Sequence, residues 1–286
     1  MKRHLTTVTL ILGAYVVLSA QNMRVMSFNI RYDSPQDAKE GNGWQARKNY
    51  VAQTISYYTT DICGLQEALY SQIIDILAFI PNYHFIGVGR DDGKFAGEFS
   101  PILYQRNKFT PLDSGHFWLS EQPELPGKGW DATCCNRIVT WAKFLDKTTQ
   151  RVFYFFNTHF DHQGVVARRE SAHLLKKQIQ TIAQNTPVIL TGDFNAGLED
   201  EPILILSRQD ENILLQNTLF TSTTPHFGPA GTFNGWNFQS NDSKTIDHIF
   251  IQGPWVVGDH ATLAPAWQGR FASDHFAVLT TLRWKD

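Results

Sequence analysis

The chain has 286 residues, of which 42% are hydrophobic and 13% aromatic. That composition is ample for a large core and excludes an intrinsically disordered protein. The formal net charge of −2 argues against a strongly basic face of the kind that binds a nucleic-acid backbone non-specifically. We therefore expect no stable nucleic-acid complex.

The beginning of the chain differs in composition from the rest. Lys2 and Arg3 precede an apolar stretch (10–18), which ends in small residues up to Ala20. This order is typical of a secretory signal peptide, and the alternative, a membrane anchor, needs a longer apolar run. No later segment is long and apolar enough to cross a bilayer. We expect residues 21–286 to form one monomeric domain that is periplasmic or secreted.

Strand-like and helical patterns follow one another through the mature chain, with no linker, repeat or low-complexity tract between them. Alternating or apolar runs predict strands at 24–31, 61–66, 84–88, 101–105, 138–145, 152–159, 188–194, 245–251 and 275–282. Helical spacing of apolar residues occurs in 44–58, 69–80 and 172–183. This order favours two packed sheets with helices on their outer faces.

The three cysteines do not form the framework of a disulfide-rich fold. Cys63 lies in an apolar run and is predicted to be a small core residue. Cys134 and Cys135 end a long loop (120–135) rich in Pro, Gly and Trp, and loops of that length are often functional. Because no second cysteine pair or histidine cluster accompanies them, we expect an ordinary pair of loop residues.

Short polar clusters occur where the predicted strands end. They are at 27–29, 65–67, 157–159, 192–195, 247–248 and 273–275. Loops at strand ends gather groups that are distant in sequence into one pocket. Carboxylates, carboxamides and imidazoles together indicate a hard divalent cation and acid–base chemistry on a phosphate.

The spacing within these clusters adds to that indication. Asp193 and Asn195 are two residues apart on a strand, so they point the same way, and Asn157 and His159 repeat the spacing. Either pair alone is more often a turn or a strand-end cap. Its recurrence on separate strands favours a common site.

Two carboxylates lie beside apolar runs, where burial is costly without a partner. Glu67 closes one such run, and a magnesium ion would satisfy it; the alternative is stabilisation of the N-terminus of the helix that follows. Asp247 lies in a second apolar run, and a neighbouring histidine would satisfy its carboxylate. Such an Asp–His pair makes a general base with a fixed tautomer. His162 is a weaker candidate for the pocket.

Six motifs in this order resemble the endonuclease/exonuclease/phosphatase superfamily, whose members are similar to DNase I. They are MSFNIR (26–31), GLQEA (64–68), NTHFDH (157–162), LTGDFNA (190–196), TIDHIF (245–250) and SDHFAV (273–278). The resemblance implies an α/β fold, a four-layer α/β/β/α sandwich of two packed, mostly antiparallel sheets. It also implies a divalent-metal-dependent phosphoric ester hydrolase that uses an activated water.

The resemblance implies that Glu67 is the principal ligand of Mg²⁺, or alternatively Mn²⁺. Asn29 and Asp274 would lie close to that metal, binding it directly or through water. The implied phosphate contacts are Arg137, in NRIVTWAKF (136–144), and Asn157.

The remaining implied roles concern the reaction itself. Asp193 would orient or deprotonate the attacking water, and Asn195 would position it. His275, supported by Asp247, would act as a base or as a phosphate-contacting acid. His159 would donate to a phosphate oxygen or protonate the leaving group. Its expected partner is Glu98, in GEFSPILYQR (97–106).

The substrate stays open among phosphodiesters and phosphomonoesters. The alternatives are an extracellular nuclease, a sphingomyelinase-like lipid phosphodiesterase and a non-catalytic binding protein on the same scaffold. Aromatic residues of the 120–135 region and its neighbours, among them Trp118, would seat a substrate or form buried packing. Trp236 is a further candidate for the cleft wall.

Overall fold

The structure is a computed structural model that describes residues 22–209, 213–238 and 244–285. The predicted signal peptide, residues 1–20, lies outside the described residues. Across these three ranges, no helix is both long and apolar enough to span a membrane.

Fourteen strands and six helices make up the described ranges. The strands are β1 (Met23–Asn29), β2 (Ile62–Gln66), β3 (Tyr83–Ile86), β4 (Ile102–Gln105), β5 (Phe109–Trp118), β6 (Ile138–Asp146), β7 (Val152–His159), β8 (Val188–Asp193), β9 (Gln216–Asn217), β10 (Asp247–Gln252), β11 (Trp255–Leu263), β12 (Ala266–Trp267), β13 (Arg270–Phe271) and β14 (Ala277–Trp284). The helices are α1 (Pro35–Lys39), α2 (Trp44–Tyr57), α3 (Tyr70–Phe79), α4 (Val165–Ala183), α5 (Glu201–Ser207) and α6 (Thr218–Thr221).

Twelve of the strands form two six-stranded sheets that pack against each other. The first has the order β11-β14-β1-β2-β4-β3, and the second has the order β5-β6-β7-β8-β10-β9. Each sheet contains one parallel pair, β1–β2 or β7–β8, and its other pairs are antiparallel. The helices α2 and α3 pack outside the first sheet, and α4 and α5 outside the second. The predicted α/β/β/α sandwich is confirmed.

Strand alternation sorts the apolar side chains into three cores. In β1, Met26 and Phe28 pack under α2 and α3, whereas Val25 packs between the sheets. In β8, Leu190 packs under α4, whereas Ile189 packs between the sheets. Each of these central strands is therefore buried on both faces, which is why they read as apolar runs.

Two long strands, β5 and β11, were not among the strands predicted from sequence. Both lie at the edge of a sheet. The middle of β5 is exposed, whereas β11 also makes isolated bridges through Val257 and Ala261 to Ser222 and Phe227. Pro111 and Gly115 interrupt the apolar alternation of β5, and a register shift between Val257 and Asp259 interrupts that of β11. β5 tolerates Pro111 and Gly115 because the outer backbone groups of an exposed edge strand need no ladder partner.

We predict that His260 makes the protein sensitive to acid. This β11 side chain is 3% exposed, and burial, together with the neighbouring His226, lowers its pKa from 6.5 to about 3. Below pH 6.5 this histidine is protonated in the unfolded chain but stays neutral in the folded one. The free energy of unfolding therefore decreases as the pH is lowered, by up to about 1.4 kcal/mol per pH unit. In urea unfolding at pH 7.5 and 4.5, His260→Gln should lose less stability between the two pH values than the wild type. Equal losses would contradict the prediction.

Candidate active site

The ends of the central strands open into a cleft with a volume of about 850 Å³. The parallel pairs set this geometry, because Asn29 is in register with Gln66 in one sheet and His159 with Asp193 in the other. Asp247 faces Asp193 across the antiparallel β8–β10 pair. The residues lining the cleft are Arg31, Tyr32, Asp37, Glu67, Arg90, Glu98, Cys134, Cys135, Arg137, His159, His162, Asp193, Asn195, Phe233, Gly235, Trp236, Ile246, Asp274 and His275.

Asp193 is the centre of the polar cluster. Its Oδ2 atom accepts a hydrogen bond from Asn29 Nδ2 at 2.9 Å and lies 3.3 Å from His159 Nε2 and 3.7 Å from His275 Nε2. Its Oδ1 atom accepts from the backbone N–H of Asn195 at 2.9 Å. With only 1% of its surface exposed, this carboxylate is held rigidly between two imidazoles.

His275 and Asp247 form the Asp–His pair that the sequence predicted. His275 Nδ1 lies 2.9 Å from Asp247 Oδ2, and the edge of Phe233 packs on the imidazole at a ring-centroid distance of 5.1 Å. Burial alone would lower the pKa of His275. The charges of Asp247 and Asp193 outweigh it and raise that pKa well above the ordinary value, so the imidazole is held as a cation.

The pKa values of Asp193 and His159 shift in the directions expected for buried groups. Burial, reinforced by the charge of Asp247, raises the pKa of Asp193 to about 7. Burial and the nearby charges of Arg137 and Arg90 lower the pKa of His159 well below 6.5. At neutral pH, His159 is therefore a neutral imidazole, and Asp193 is poised to exchange a proton.

A second acidic group, Glu67 with Asp274, lies beside this cluster. The guanidinium group of Arg31 is 3.7 Å from Glu67 and 3.6 Å from Asp274, so both carboxylates face one cation. Burial, and then the charge of Glu67, raise the pKa of Asp274 against the pull of His275 and Arg31. Asn29 Nδ2 donates a hydrogen bond to Glu67 Oε1 at 3.1 Å, which helps to fix the position of this carboxylate.

The donor chemistry of this region fits a hard divalent cation. Asp274 is buried and Glu67 is half-buried, and both offer oxygen donors in a locally acidic position, which is what Mg²⁺ and Mn²⁺ prefer. Atoms of Asp193, Asp247 and His275 also lie within 4.8 Å of one another, close enough to hold an ion. One imidazole nitrogen of that set is already bound to Asp247, so the Glu67–Asp274 pair is the better fit for an oxygen-seeking metal.

Four of the nine described non-glycine residues with a positive φ line the cleft. They are Arg31 (56°), Glu67 (60°), Asn195 (47°) and Trp236 (63°). Such conformations cost free energy and persist where surrounding contacts impose them, often at functional sites. Trp236 lies in the cleft wall, as its sequence position suggested, whereas Trp118 is 4% exposed and belongs to the packing.

Asn157 is not where the prediction placed it. Instead of facing the cleft, it joins the two sheets: its Oδ1 accepts from Gln66 Nε2 (2.7 Å) and Thr191 Oγ1 (2.9 Å), and its Nδ2 donates to the carbonyls of Leu65 and Pro101. These bonds occupy its carboxamide, and its side chain is fully buried. Its role is to hold the sheets in register rather than to contact a phosphate.

The predicted partnership between Glu98 and His159 also differs from the structure. Glu98 forms a two-pronged ion pair with Arg90, at 2.7 and 2.9 Å. His159 Nδ1 is buried and has no hydrogen-bond partner among the described residues. Its Nε2 lies 3.0 Å from Asn195 Nδ2. Arg90 gave no sequence signal, because it lies in a loop outside the strand-end clusters.

Arg137 is inside the cleft, as predicted, and has neighbours that the sequence indicated only weakly. Its Nη2 atom lies 2.8 Å from His162 Nδ1, and its Nε atom 3.5 Å from Asp161. Its Nη1 atom is buried without a hydrogen-bond partner among the described residues. An unpaired buried guanidinium N–H is suited to an anionic ligand.

Cys134 and Cys135 are not an ordinary loop pair. They are bonded to each other as a disulfide and line the cleft near Arg137 and His162. Neighbouring contacts fix this segment: Asp131 caps the first turn of α4, Thr133 donates to Gln163, and Asn136 donates to the Arg90 carbonyl. Cys63 is a buried free thiol in the core, as predicted.

We predict that Asn157→Ala destabilises the fold by about 3 kcal/mol. The substitution removes four hydrogen bonds from the buried interior, to Gln66, Thr191 and the carbonyls of Leu65 and Pro101. Urea unfolding measures the change, and Gln180→Ala, at an exposed position on α4, is the control. A loss below about 1 kcal/mol would mean that the sheets do not depend on this side chain.

Comparison with known proteins identifies this arrangement. Residues 26–275 match the sequence model of the Endonuclease/Exonuclease/phosphatase family. An endonuclease/exonuclease/phosphatase from Bacteroides vulgatus is 39% identical, with a TM-score of 0.87 over 93% of this chain and 100% of that one. A Bacteroides thetaiotaomicron mannosyl-6-phosphatase is 37% identical, with a TM-score of 0.85 over 92% of this chain and 100% of that one.

A curated relative at lower identity is an uncharacterised protein of Acanthamoeba polyphaga mimivirus. It is 26% identical over 272 residues, which cover 82% of this chain but only 39% of the viral protein. The family match spans the whole cleft, from the strand that ends in Asn29 to His275. The chain belongs to the endonuclease/exonuclease/phosphatase family, whose members are hydrolases that act on phosphoesters.

Proposed function

We propose that the protein is a divalent-metal-dependent phosphatase that releases phosphate from a phosphorylated sugar by attack of water. The observation that carries this proposal is the position of Asp193, held between His159 and the His275–Asp247 pair, with the Glu67–Asp274 carboxylates beside it. A proton acceptor, two imidazoles and an acidic cation site in one cleft match the needs of phosphoester hydrolysis.

Each residue has a task that its geometry supports. Asp193, with its raised pKa, accepts a proton from the attacking water, and Asn195 orients that water. The His275 imidazolium, held by Asp247, donates to a phosphate oxygen. The neutral His159 donates to a second phosphate oxygen, and the free N–H of Arg137 offsets negative charge as the bond to the leaving group breaks.

Glu67 and Asp274 would hold the metal ion, with Asn29 fixing the position of Glu67. When bound, the ion supplies Lewis-acid polarisation of the phosphate. Arg31 lies between the two carboxylates and keeps their charges balanced within the protein. Mg²⁺ is the proposed ion, and Mn²⁺ is the alternative.

The cleft is lined by five carboxylates and three guanidinium groups, and the guanidinium groups support a phosphomonoester rather than a diester as the substrate. The three guanidinium groups are those of Arg31, Arg90 and Arg137. A monoester carries up to two negative charges near neutral pH, whereas a diester carries one, so guanidinium groups discriminate in favour of the monoester.

The uncharged part of the wall favours a sugar as the leaving group. Tyr32, Phe233 and Trp236 offer aromatic surface beside the charged groups. A relative of 37% identity that covers nearly the whole chain is named as a mannosyl-6-phosphatase. We therefore propose a hexose phosphate as the substrate class.

We further propose that the enzyme acts in the periplasm or outside the cell. The N-terminal pattern of charged, apolar and small residues supports export. The Cys134–Cys135 disulfide supports it independently, because disulfides persist in oxidising compartments.

The test is hydrolysis of a substrate panel with Mg²⁺, with Mn²⁺ and with EDTA. The panel contains mannose 6-phosphate, p-nitrophenyl phosphate, bis-p-nitrophenyl phosphate, RNA, plasmid DNA and sphingomyelin. We expect metal-dependent release of phosphate from the two monoesters. Faster cleavage of RNA or DNA would contradict this proposal and indicate a nuclease. Faster cleavage of sphingomyelin would contradict it and indicate a lipid phosphodiesterase.

We predict that His275→Ala lowers kcat on the best substrate by at least about a hundredfold. The substitution removes the proton donor and leaves Asp247 buried without its partner. His173→Ala, on α4 away from the cleft, is the matched control and should retain activity. Because the buried Asp247 is left unpaired, thermal unfolding is measured in parallel. A folded His275→Ala protein with wild-type kcat would remove His275 from the mechanism.

We predict that Glu67→Gln raises the metal concentration needed for half-maximal activity by at least about tenfold. The amide keeps the size of the side chain but loses the charge that attracts the ion. Isothermal titration with Mn²⁺ measures the affinity without turnover. As a control, Glu98→Gln changes a carboxylate paired with Arg90 and should leave the affinity for Mn²⁺ close to that of the wild type. Equal losses in both variants would contradict the assignment of Glu67.

A further inference from the structure

A second cavity of about 550 Å³ lies beside the C-terminal end of α2. Its wall combines the last turns of α2 with the segment around β12. The residues that matter are Gln53, Ser56, Tyr57, Tyr58, Pro265 and Trp267. Its volume falls within the range of small-molecule sites, roughly 300–1,000 Å³.

The aromatic rings of this cavity are exposed yet held in place. Tyr57 is 81% exposed, although nothing in the packing of the sandwich requires an aromatic residue there. Trp267 stacks on Tyr50 at a centroid distance of 4.2 Å with an interplanar angle of 21°, and Tyr57 meets Tyr58 edge to face at 5.4 Å. These contacts fix the rings before any ligand arrives, which lowers the entropic cost of binding.

The chemistry of the wall indicates a neutral, hydroxyl-rich ligand. None of the residues that line this cavity is charged. Gln53, Ser56 and the tyrosines provide amide and hydroxyl groups, and the rings provide apolar faces. A pyranose ring matches both, because it has an apolar C–H face and a rim of hydroxyl groups. An anion or a cation would find no opposite charge there.

The cavity is separate from the catalytic cleft. Near the start of α2, Arg47 donates to the carbonyls of Ile30, Arg31 and Tyr32, at the cleft. Tyr57 is ten residues further along the helix, or about 15 Å at 1.5 Å per residue. The two sites share no lining residue.

We propose that this cavity is a carbohydrate-binding site for neutral sugar rings, distinct from the cleft. The site would hold one part of a glycan on the surface of the protein. The cleft would then bind another part of the same glycan, or a different glycan. The proposal does not depend on the reaction proposed above, because it concerns sugars without phosphate.

The test is titration of the ¹⁵N-labelled protein with the neutral trisaccharides mannotriose, maltotriose and cellotriose, followed through the indole N–H signals. The chain has eight tryptophans, and Trp267→Ala identifies the signal of Trp267. We expect at least one trisaccharide to shift that signal. Tyr57→Ala should weaken its binding at least tenfold, whereas Phe220→Ala, a residue 71% exposed on α6, should not change it.

Two controls separate this site from the cleft and from a protein interface. Saturating inorganic phosphate should leave the trisaccharide affinity unchanged. Thermal unfolding of each variant verifies that it is folded, and this check does not depend on phosphatase activity. The proposal is overturned if no trisaccharide shifts the Trp267 signal, or if phosphate displaces the sugar. It is also overturned if sedimentation shows a dimer that Trp267→Ala dissociates, since this face would then bind a second copy of the chain.

Discussion

The carboxamide of Asn157 links the two sheets, and the arrangement of the cleft follows from that link. It bonds to side chains of both sheets and to carbonyl groups of the first sheet and the chain before β4, deep in the interface between the layers. Sheets that pack through apolar side chains alone can slide, because apolar contact has little directionality. Four directed hydrogen bonds in a dry interior remove that freedom. Gly64 permits the close approach, since a side chain there would collide with Asn157 and Thr191.

Fixing the sheets in this way places the active site. The inner face of each central strand begins apolar and ends polar: Ile189 is followed by Thr191 and Asp193 in β8, and β7 shows the same order with Phe155 and Asn157 before His159. The apolar half makes the core between the sheets. Asn157 and Thr191 bond to each other in the buried interior, and only His159 and Asp193, at the strand ends, line the cleft. The candidate catalytic residues His159 and Asp193 thus lie on strand ends, which hold them more precisely than loops would.

Gathering so many ionisable groups away from water has an energetic cost that their mutual contacts offset. Asp193 and Asp247 are like charges on paired strands, and the imidazolium of His275 between them makes the arrangement tolerable. Arg31, Arg90 and Arg137 each lie beside a carboxylate. Breaking one such pair leaves a buried charge uncompensated, which is more costly than the pair itself is stabilising. The same burial and neighbouring charges shift the pKa values of these groups, which suits them to proton transfer.

The two-sheet sandwich, its central strands and most of the residues that meet in the cleft could be predicted from the sequence. This was possible because burial on both faces leaves apolar runs, and because the polar clusters stand at their ends. The partners of the polar residues could not be predicted, because they depend on how the chain packs: Asn157 binds the opposite sheet, Glu98 pairs with Arg90, and Cys134 bonds to Cys135. The structure also shows the edge strands β5 and β11, in which register shifts interrupt the regular alternation. Spacing along a chain records which face a side chain takes, whereas its partner depends on how distant segments pack together.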